Sequence, residues 1–579
     1  MRFNFVKDVL SPQATSSPTN TALLCVPENS LKLPVDVISY QELQRQVDVV
    51  ARTLLEIGIE KGDVVILIMH RCSAWWVNFL ALIRIGAITS PAAVVLTPKE
   101  IIYRMNSCDA KMVIVAHGDE KRFVEDQTFI ETINQKKILM AQSPWSYSLN
   151  YSTTHLPSSF SKKWFDFGSL TQRNGSTTTP SSTTIRGLEE TNEEDPMILY
   201  FTSGTTGPPK MVVHNCLYSL SHEKTAKDWH GLGKSYKALD KKNQLWKGIE
   251  LHWTITDTGW AKMAWGAFFG QLSAGAAIFV YDYIRFDPHQ VFKMIEDYGI
   301  TSFCAPPTAY RSLVKWDMSK YNLSSLRGAM SAGEPLNPEV WNLWKSNTGL
   351  EIREGYGQTE TPLIIGIVEG EKAKPGTMGK ALPHLVVQVI NDQLIPCKSG
   401  EEGNIAIQVK PTSPLGLFQG YVKKIQKHGK SFQIEYDDQA NAKVFQGNWY
   451  LTGDKAFLDD EGYFYFIGRN DDVIKTSGYR VGPFEVESSL VEHKAVLEAG
   501  VVGIPDPQKG QIIKAFVVLS QGFTPSEQLA KELISHVRNT TAHFKAPGKI
   551  EFVQTLPKTV SGKIRRVELR DMKQTSSKL

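Results

Sequence analysis

The run Thr202-Ser203-Gly204-Thr205-Thr206-Gly207-Pro208-Pro209-Lys210 carries the densest chemistry in the chain. Its hydroxyls, the pliant backbone at Gly204 and Gly207 and the ammonium of Lys210 together suit the oxygens of a phosphate chain. It is not the common nucleotide loop, because no Gly-Lys-Ser/Thr follows a four-residue spacer. The plain alternative is a solvated turn, and the strand pattern Met197–Phe201 directly upstream argues against it. A second segment is Glu354-Gly355-Tyr356-Gly357-Gln358-Thr359-Glu360. There Tyr356 can stack on a base, Thr359 can hydrogen-bond a phosphate, and Glu360 can hold a magnesium ion, which prefers hard oxygen ligands. Alone, it also reads as a polar turn. In Leu451-Thr452-Gly453-Asp454 a carboxylate follows a tight turn and can take both hydroxyls of a ribose, although Asp in a turn is commonplace. The basic segment Pro557–Arg565, with Lys563 inside it, is equally a solvated face.

Elements must deliver these groups. Ser39 to Gly58 reads as a helix: Ser39 caps it, Leu43, Val47, Val50, Ala51, Leu54 and Leu55 form one apolar stripe, and Gly58 ends it. Val64–Met69 and Met112–Ala116 read as buried strands, with an amphipathic helix from Trp75 to Ile85 between them, ending near Gly86. Such alternation predicts a mostly parallel sheet covered by helices. Ser143 to Thr184, rich in Ser, Thr and Asn, reads as a surface excursion. Ala276–Tyr281, Phe292–Tyr298 and Ser302–Ala305 resume the strand–helix–strand pattern. Past residue 380 the pattern turns to short strands: Val386–Ile390, Asn404–Gln408, Trp449–Thr452 and Tyr463–Ile467. Strands at Ala499–Gly503 and Ala515–Leu519 and a helix over Pro525–Thr541 then predict a small α+β domain. The polar stretch Gly468–Asp472 is the expected boundary, giving domains 1–467 and 468–579. The predicted class is therefore an α/β large N-terminal domain, with helix-covered sheets and a small β subdomain, followed by a small α+β C-terminal domain.

Composition narrows the function. Lys and Arg number 64 against 60 Asp and Glu, a formal charge of +4 over 579 residues, so nucleic acid or an anionic membrane is not the expected partner. Hydrophobic residues at 42% and charged residues at 21% exclude disorder, collagen and coiled coil as whole-chain descriptions. The six cysteines show no C-x-x-C pair, which argues against a disulfide framework or zinc site and for a reducing compartment. The longest apolar stretch, Trp75 to Leu96, is broken by Asn78, Arg84 and Pro91 and reads as core, with no transmembrane segment. Met1 to Leu10 has neither a secretory core nor the Arg- and Ser-rich, acid-poor character of a transit peptide.

Taken in order, the four segments resemble the adenylate-forming superfamily of acyl-CoA synthetases, peptide-synthetase adenylation domains and firefly-type luciferases. Ala305–Thr308, Gly468–Asp472 and Ser477–Arg480 add matching pieces, and the likeness runs from about Phe3 to Arg566. The narrower resemblance is to medium-chain acyl-CoA synthetases of animal mitochondria, carried by Phe3–Leu10, Trp253–Trp260 and Ser477–Val486. The Ser/Thr-rich stretch before residue 190 and the segment Lys423–Ala442 depart from the family and are taken as surface variation.

The resemblance implies a carboxylic acid, Mg-ATP and coenzyme A as substrates, passing through an acyl-adenylate to acyl-CoA, AMP and pyrophosphate. It assigns Thr202 to Lys210 to the β- and γ-phosphates, with Thr205, Lys210 and Lys563 as the catalytic set. Gly333-Glu334-Pro335 with Glu354, Gly355, Tyr356, Gly357, Gln358 and Thr359 would frame adenine and the α-phosphate, and Glu360 would hold magnesium. Asp454 would bind ribose beside Arg469, with Arg480 close to the nucleotide. Trp260, Gly357 and Thr359 would line the acyl pocket. Ser477, Gly478 and Tyr479 would line the CoA channel, with Lys509, Arg538 and the turn Ala546-Pro547-Gly548 at the CoA nucleotide. Asp471 would be the hinge. The expected address is the mitochondrial matrix or, alternatively, the cytoplasm, and the expected state a monomer or small homo-oligomer. Two other functions stay open: an enzyme of this fold with a carrier protein or oxygen as acceptor, and a non-catalytic acyl or nucleotide binder. No carrier domain follows on the chain, and a binder does not require the charges of Lys563, Glu360 and Asp454.

Overall fold

A computed structural model describes residues 1–28, 35–116, 119, 121–134, 138–142, 164–166, 185, 187–202, 209–233, 246, 248, 250–428, 431–477, 479–558 and 563–572. The chain forms two compact units. One takes Met1–Ala332, Trp344–Lys372 and Ser413–Ala442, and the other takes Gly333–Leu343, Ala373–Thr412 and Lys443–Leu579.

The first unit is built on two large sheets. One runs Leu363–Gly366, Ile352–Gly357, Gly328–Ala332, Ser302–Ala305, Leu251–Thr254, Ala277–Asp282, Thr21–Pro27, Asp36–Ser39. The pairs from Ile352–Gly357 across to Thr21–Pro27 are parallel, and Leu363–Gly366 and Asp36–Ser39 each run antiparallel to the neighbour on that side. The other runs Ser431–Tyr436, Gly420–His428, Lys210–Asn215, Pro196–Thr202, Ile88–Pro91, Val64–Ile68, Met112–Ala116, Ile138–Gln142, Trp164–Asp166. Val64–Ile68 and Met112–Ala116 are buried along their whole length, as the unbroken apolar runs require of parallel strands covered on both faces.

Local signals explain the helices. Ser39 Oγ accepts the amide of Glu42 and caps Tyr40–Glu56. Thr97 and Glu100 close a capping box at Pro98–Ser107. Gly86 ends Ser73–Ile85 in the left-handed region, at φ 77°. That helix corrects one expectation: it is not amphipathic. Every side chain except Arg84 is buried, and Trp75 and Phe79 pack their rings on Phe268 at 5.6 and 4.9 Å.

Parts of two presumed surface segments are strand. Trp164–Asp166, inside the Ser/Thr-rich stretch, pairs in parallel with Ile138–Gln142; most of that stretch lies outside the described residues. Lys423–Ala442 contributes most of a hairpin that joins Lys210–Asn215 through Gly420–Val422 and buries Ile425 in the core. Lys427 there meets Asp63 at 2.9 Å and Glu60 at 3.1 Å.

The second unit holds a β subdomain and an α+β body. Val387–Ile390, Gly403–Gln408 and Trp449–Leu458 pair antiparallel, and Phe464–Arg469 pairs with Trp449–Leu458. The other sheet runs Tyr479–Val481, Ile474–Thr476, Gly510–Leu519, Val496–Asp506, with Lys549–Phe552 parallel to Gly510–Leu519. Helices Pro483–Glu492 and Glu527–Thr540 bury Val486, Leu490, Leu529, Leu533 and Val537 in one core with Val501, Ala515 and Val517.

Candidate active site

Pro196–Thr202 leads into the Ser/Thr/Gly run and Lys210–Asn215 returns from it, antiparallel, with Thr202 opposite Lys210. The run is thus the connection of a hairpin, and no helix follows it. Ser203, Gly204, Thr205, Thr206, Gly207 and Pro208 lie outside the described residues. Lys210 is exposed, with its ammonium 4.6 Å from the ring centroid of Tyr421.

Glu354 to Gly357 is strand and not turn; the turn is Gln358 to Pro362, where Gln358 N–H donates to Thr361 Oγ1 at 2.9 Å. Glu354 is buried, and its carbonyl accepts Trp229 Nε1 at 3.1 Å. The glycines here are demanded by packing. A Cβ on Gly355 would lie 2.6 Å from Leu363 and 2.8 Å from Trp229, and one on Gly357 would lie 2.4 Å from the carbonyl oxygen of Pro362. At Gly357 the neighbouring backbone occupies the first position of any side chain. Tyr356 and Thr359 are half-buried.

Glu360 is held on two sides. Tyr421 donates its hydroxyl to Glu360 Oε1 at 2.8 Å, and Phe418 N–H donates to the Glu360 carbonyl at 2.9 Å. The partly exposed carboxylate suits a magnesium ion that arrives with a phosphate chain, since that ion keeps water and phosphate ligands and needs only one or two protein carboxylates. Among the described residues no group of three or more His, Cys, Asp or Glu assembles as a resident metal cage. Trp260, half-buried, precedes helix Ala261–Gly266. Before it, Thr258 Oγ1 donates to the Met69 carbonyl at 2.6 Å, and Gly259 packs so closely that a Cβ would lie 2.2 Å from Ala93 N.

In the second unit, Asp454 sits in a bulge of the long strand Trp449–Leu458, not after a tight turn: the register with Gly403–Gln408 shifts around Thr452-Gly453-Asp454, and Gly453 takes φ 76°. Asp454 is buried and faces Arg469 across the adjoining pair, Nε to Oδ1 at 3.7 Å. Gly333 has φ 114° and opens the Gly333-Glu334-Pro335 segment. Asp471 is exposed; its carbonyl accepts Arg570 at 3.1 Å, while Asp472 pairs with Arg570.

Ser477 takes φ 49° in the two-residue hairpin between Ile474–Thr476 and Tyr479–Val481, as such turns require. Gly478 lies outside the described residues. Ser477 N–H donates to the Lys509 carbonyl at 2.9 Å, and Tyr479 stacks on Phe544 at 4.1 Å, two residues before Ala546-Pro547-Gly548. Ser477, Tyr479 and Lys509 make one exposed patch, while Pro547 is buried. Arg538 lies apart from those contacts, exposed in the last turn of Glu527–Thr540. Arg480 is part of strand Tyr479–Val481. Lys563 is exposed, next to Ile564, which bridges to Lys558.

Three residues were not singled out from the sequence. Tyr421 and Phe544 offered no signal, being aromatics in unremarkable strings. His214 did: it is a polar residue in the apolar strand Lys210–Asn215, and it is 1% exposed with a ring hydrogen bond to Thr359.

Comparison with known proteins gives a consistent result. Residues 10–422 match the AMP-binding enzyme family, and residues 485–563 match the AMP-binding enzyme C-terminal domain. The chain is 38% identical to the mitochondrial acyl-coenzyme A synthetase ACSM3 of Rattus norvegicus, over 99% of this chain and 91% of that one. It is 37% identical to the mitochondrial acyl-coenzyme A synthetase ACSM4 of Homo sapiens, over 98% and 90%. Among solved structures it resembles the anthranilate CoA ligase AuaEII in complex with anthranoyl-AMP, at TM-score 0.80 and 26% identity, covering 98% of this chain and 97% of that one.

Proposed function

The chain belongs to the AMP-binding enzyme family, and from that premise we propose how its residues carry out the work of an AMP-forming acyl-coenzyme A synthetase. ATP, Mg2+, a carboxylic acid and coenzyme A are its reactants. In the first half-reaction a carboxylate oxygen attacks the α-phosphorus. The bond to the bridging oxygen breaks, and pyrophosphate leaves with the electron pair. In the second, the sulfur of CoA attacks the acyl carbon, the bond to AMP oxygen breaks, and the thiol proton passes to solvent. Both steps depend on positioning and charge neutralisation more than on a protein nucleophile.

Thr202 to Lys210 hold the β- and γ-phosphates, with Thr205 and Lys210 as donors to the departing pyrophosphate. Gly333-Glu334-Pro335 and Glu354 to Thr359 frame adenine and the α-phosphate. Asp454 takes the ribose hydroxyls, oriented by Arg469, and Arg480 serves the nucleotide. Lys563 neutralises the carboxylate and α-phosphate oxygens as the adenylate forms. When bound, Mg2+ disperses charge on the phosphate oxygens; Glu360 is the carboxylate that would hold it. Trp260 and Thr359 bound the acyl group, and the substrates are medium-chain or benzoate-like acids. The patch of Ser477, Tyr479 and Lys509, with the turn Ala546 to Gly548, receives CoA together with Gly478, and Arg538 adds a cation for its phosphates. Asp471 absorbs the rotation between half-reactions at the boundary of 1–467 and 468–579. The mitochondrial matrix is the proposed address, supported by the relatives' names.

The observation that supports this reading most is the meeting of opposite charges at one aromatic ring: the Lys210 cation over Tyr421, whose hydroxyl is bonded to the Glu360 carboxylate. A cation for phosphate and an anion for metal so placed match both charges of Mg-ATP. The test is pyrophosphate release over a panel of carboxylic acids, with AMP release measured with and without CoA. Acid-dependent pyrophosphate release with CoA-dependent turnover is expected. Turnover without CoA, or no release with any acid, would overturn the reading.

A further inference from the structure

We propose that Tyr421 is a positioning residue that holds Glu360 and Lys210 in fixed, separate stations, so that one can receive the metal and the other the phosphate chain. The inference rests on the roles just given to Glu360 and Lys210 and deepens them.

The geometry carries it. Tyr421 is 7% exposed, and its backbone is locked on both sides: Asn441 Oδ1 accepts its N–H at 2.7 Å, while Asn441 Nδ2 donates to its carbonyl at 2.9 Å. Phe418 packs edge-on against its ring at 5.0 Å. A ring so held presents two different surfaces. Its hydroxyl donates to Glu360 Oε1 at 2.8 Å, and its face meets the Lys210 ammonium at 4.6 Å. Phenol-to-carboxylate bonds and cation–π contacts are each stabilising, and they act here on opposite charges. Lys210 begins a strand and Glu360 lies in a turn, so both would otherwise be free to collapse into a direct ion pair that masks each from its ligand. Tyr421 gives the carboxylate a donor on Oε1, and among the described residues Oε2 accepts no hydrogen bond, so it would be the oxygen to take a metal.

The two contacts can be separated by substitution. Tyr421→Phe keeps the ring under Lys210 and removes the donor to Glu360; Tyr421→Leu removes both. The primary readout is binding: Mn2+ titrated into protein with a non-hydrolysable ATP analogue and followed by electron paramagnetic resonance, with analogue affinity measured separately in the absence of metal. For Tyr421→Phe, metal affinity should fall about tenfold, the scale of one hydrogen bond to a charged group. Its metal-free analogue affinity should stay within about twofold, and so should its KM for the carboxylic acid. Tyr421→Leu should lose metal affinity and metal-free analogue affinity together. Glu360→Gln separates the two levels of the argument. If Glu360→Gln weakens Mn2+ binding but Tyr421→Phe does not, the positioning role is wrong and the reading of Glu360 stands. If Glu360→Gln binds Mn2+ like wild type, the metal role fails and takes this inference with it. Equal losses in metal, analogue and acid affinity for Tyr421→Phe would mark a general structural residue and overturn the proposal.

Discussion

His214 and Thr359 are joined by a hydrogen bond of 2.7 Å between the ring Nε2 and the main-chain carbonyl. A carbonyl can only accept, so the ring proton sits on Nε2. Burial supports that neutral form, pushing the His214 pKa down to about 4. The ring also stacks on Tyr218 at 3.9 Å. A side chain from the strand that returns from the phosphate loop therefore pins the residue before Glu360. His214→Phe keeps the stack and abandons the carbonyl, which costs about 1–3 kcal/mol for an unsatisfied buried group. Urea unfolding should show that loss, and pyrophosphate assays should show a raised KM for ATP with little change for CoA. Wild-type values in both would remove the role.

The first unit should be acid-sensitive. His214, His222, His230 and His252 are all buried, and desolvation lowers each pKa, to about 4 for His214 and about 3 for His252. The unfolded chain then binds protons that the folded chain refuses. Stability is fully present above the ordinary histidine value and falls as pH drops below about 6.5, by about 1.4 kcal/mol per pH unit for each such group. His222 offers a clean probe, because neither ring nitrogen has a hydrogen-bond partner among the described residues and its ring stacks on Phe269 at 5.7 Å. His222→Phe should stay within about 1.5 kcal/mol of wild type at pH 8. Between pH 6 and 5 its urea-unfolding free energy should fall less steeply than that of wild type, and an unchanged slope would count against the account.

Sequence patterning located most elements that hold the site. Ser39, Gly86 and the runs Val64–Ile68 and Met112–Ala116 carry their signals locally, in cap chemistry and uninterrupted apolar strings. What escaped was non-local. Whether Trp75–Ile85 shows one apolar face or none depends on Phe268 and Phe269, almost two hundred residues away. The hairpin at Gly420–Tyr436 looked like surface because its strands become sheet only by pairing with Lys210–Asn215. Thr452-Gly453-Asp454 looked like a turn because a bulge and a turn both use a glycine at positive φ. Each site motif was visible as residue types, while its partners, Tyr421 and His214, are defined by tertiary contact.

Acyl selectivity should respond to Trp260 and not report cleanly on Gly357. A Cβ at Gly357 would strike the Pro362 carbonyl, so Gly357→Trp would distort the turn carrying Thr359 and Glu360. It should depress turnover for every acid alike, acetate included. Trp260→Ala leaves the backbone intact and should shift the kcat/KM optimum to longer or bulkier acids. Each added methylene that is buried contributes about 0.8 kcal/mol, close to fourfold. A length profile that does not move in Trp260→Ala would remove Trp260 from the pocket.

Asp471 can be replaced by Pro without losing a main-chain bond, because no described residue accepts its N–H. The substitution fixes φ at 471 and restricts Asn470. If the boundary at 468–472 is where dihedrals change between half-reactions, Asp471→Pro should slow one half-reaction at least tenfold more than the other. Thermal melting should stay near wild type. Equal loss in both halves with a normal melt would argue against a hinge there.

The sharpest division of labour lies between Lys563 and Gly478. Negative charge grows on the α-phosphate and carboxylate oxygens only while the adenylate forms, so an ammonium is needed in that step alone. Removing one such preorganised donor costs about 100- to 1,000-fold in rate. Lys563 is exposed. Lys563→Ala should therefore suppress acid-dependent pyrophosphate release while supplied acyl-AMP and CoA still yield thioester at near wild-type rate. Gly478 should behave in the opposite way, since a residue without Cβ lets the thin arm of CoA pass close to the backbone. Its neighbour Ser477 already adopts φ 49°, so the same hairpin places conformational demands of its own. A Gly478→Leu protein is informative only beside a Gly478→Ala protein and a melt of each. Blocked thioester formation with intact pyrophosphate release in Leu, milder in Ala, and melting points near wild type would assign Gly478 to the CoA path. Parallel loss of both half-reactions in Lys563→Ala and Gly478→Leu, at wild-type melting temperature, would mean that the two residues serve one common step and that the two-pose scheme does not describe this enzyme.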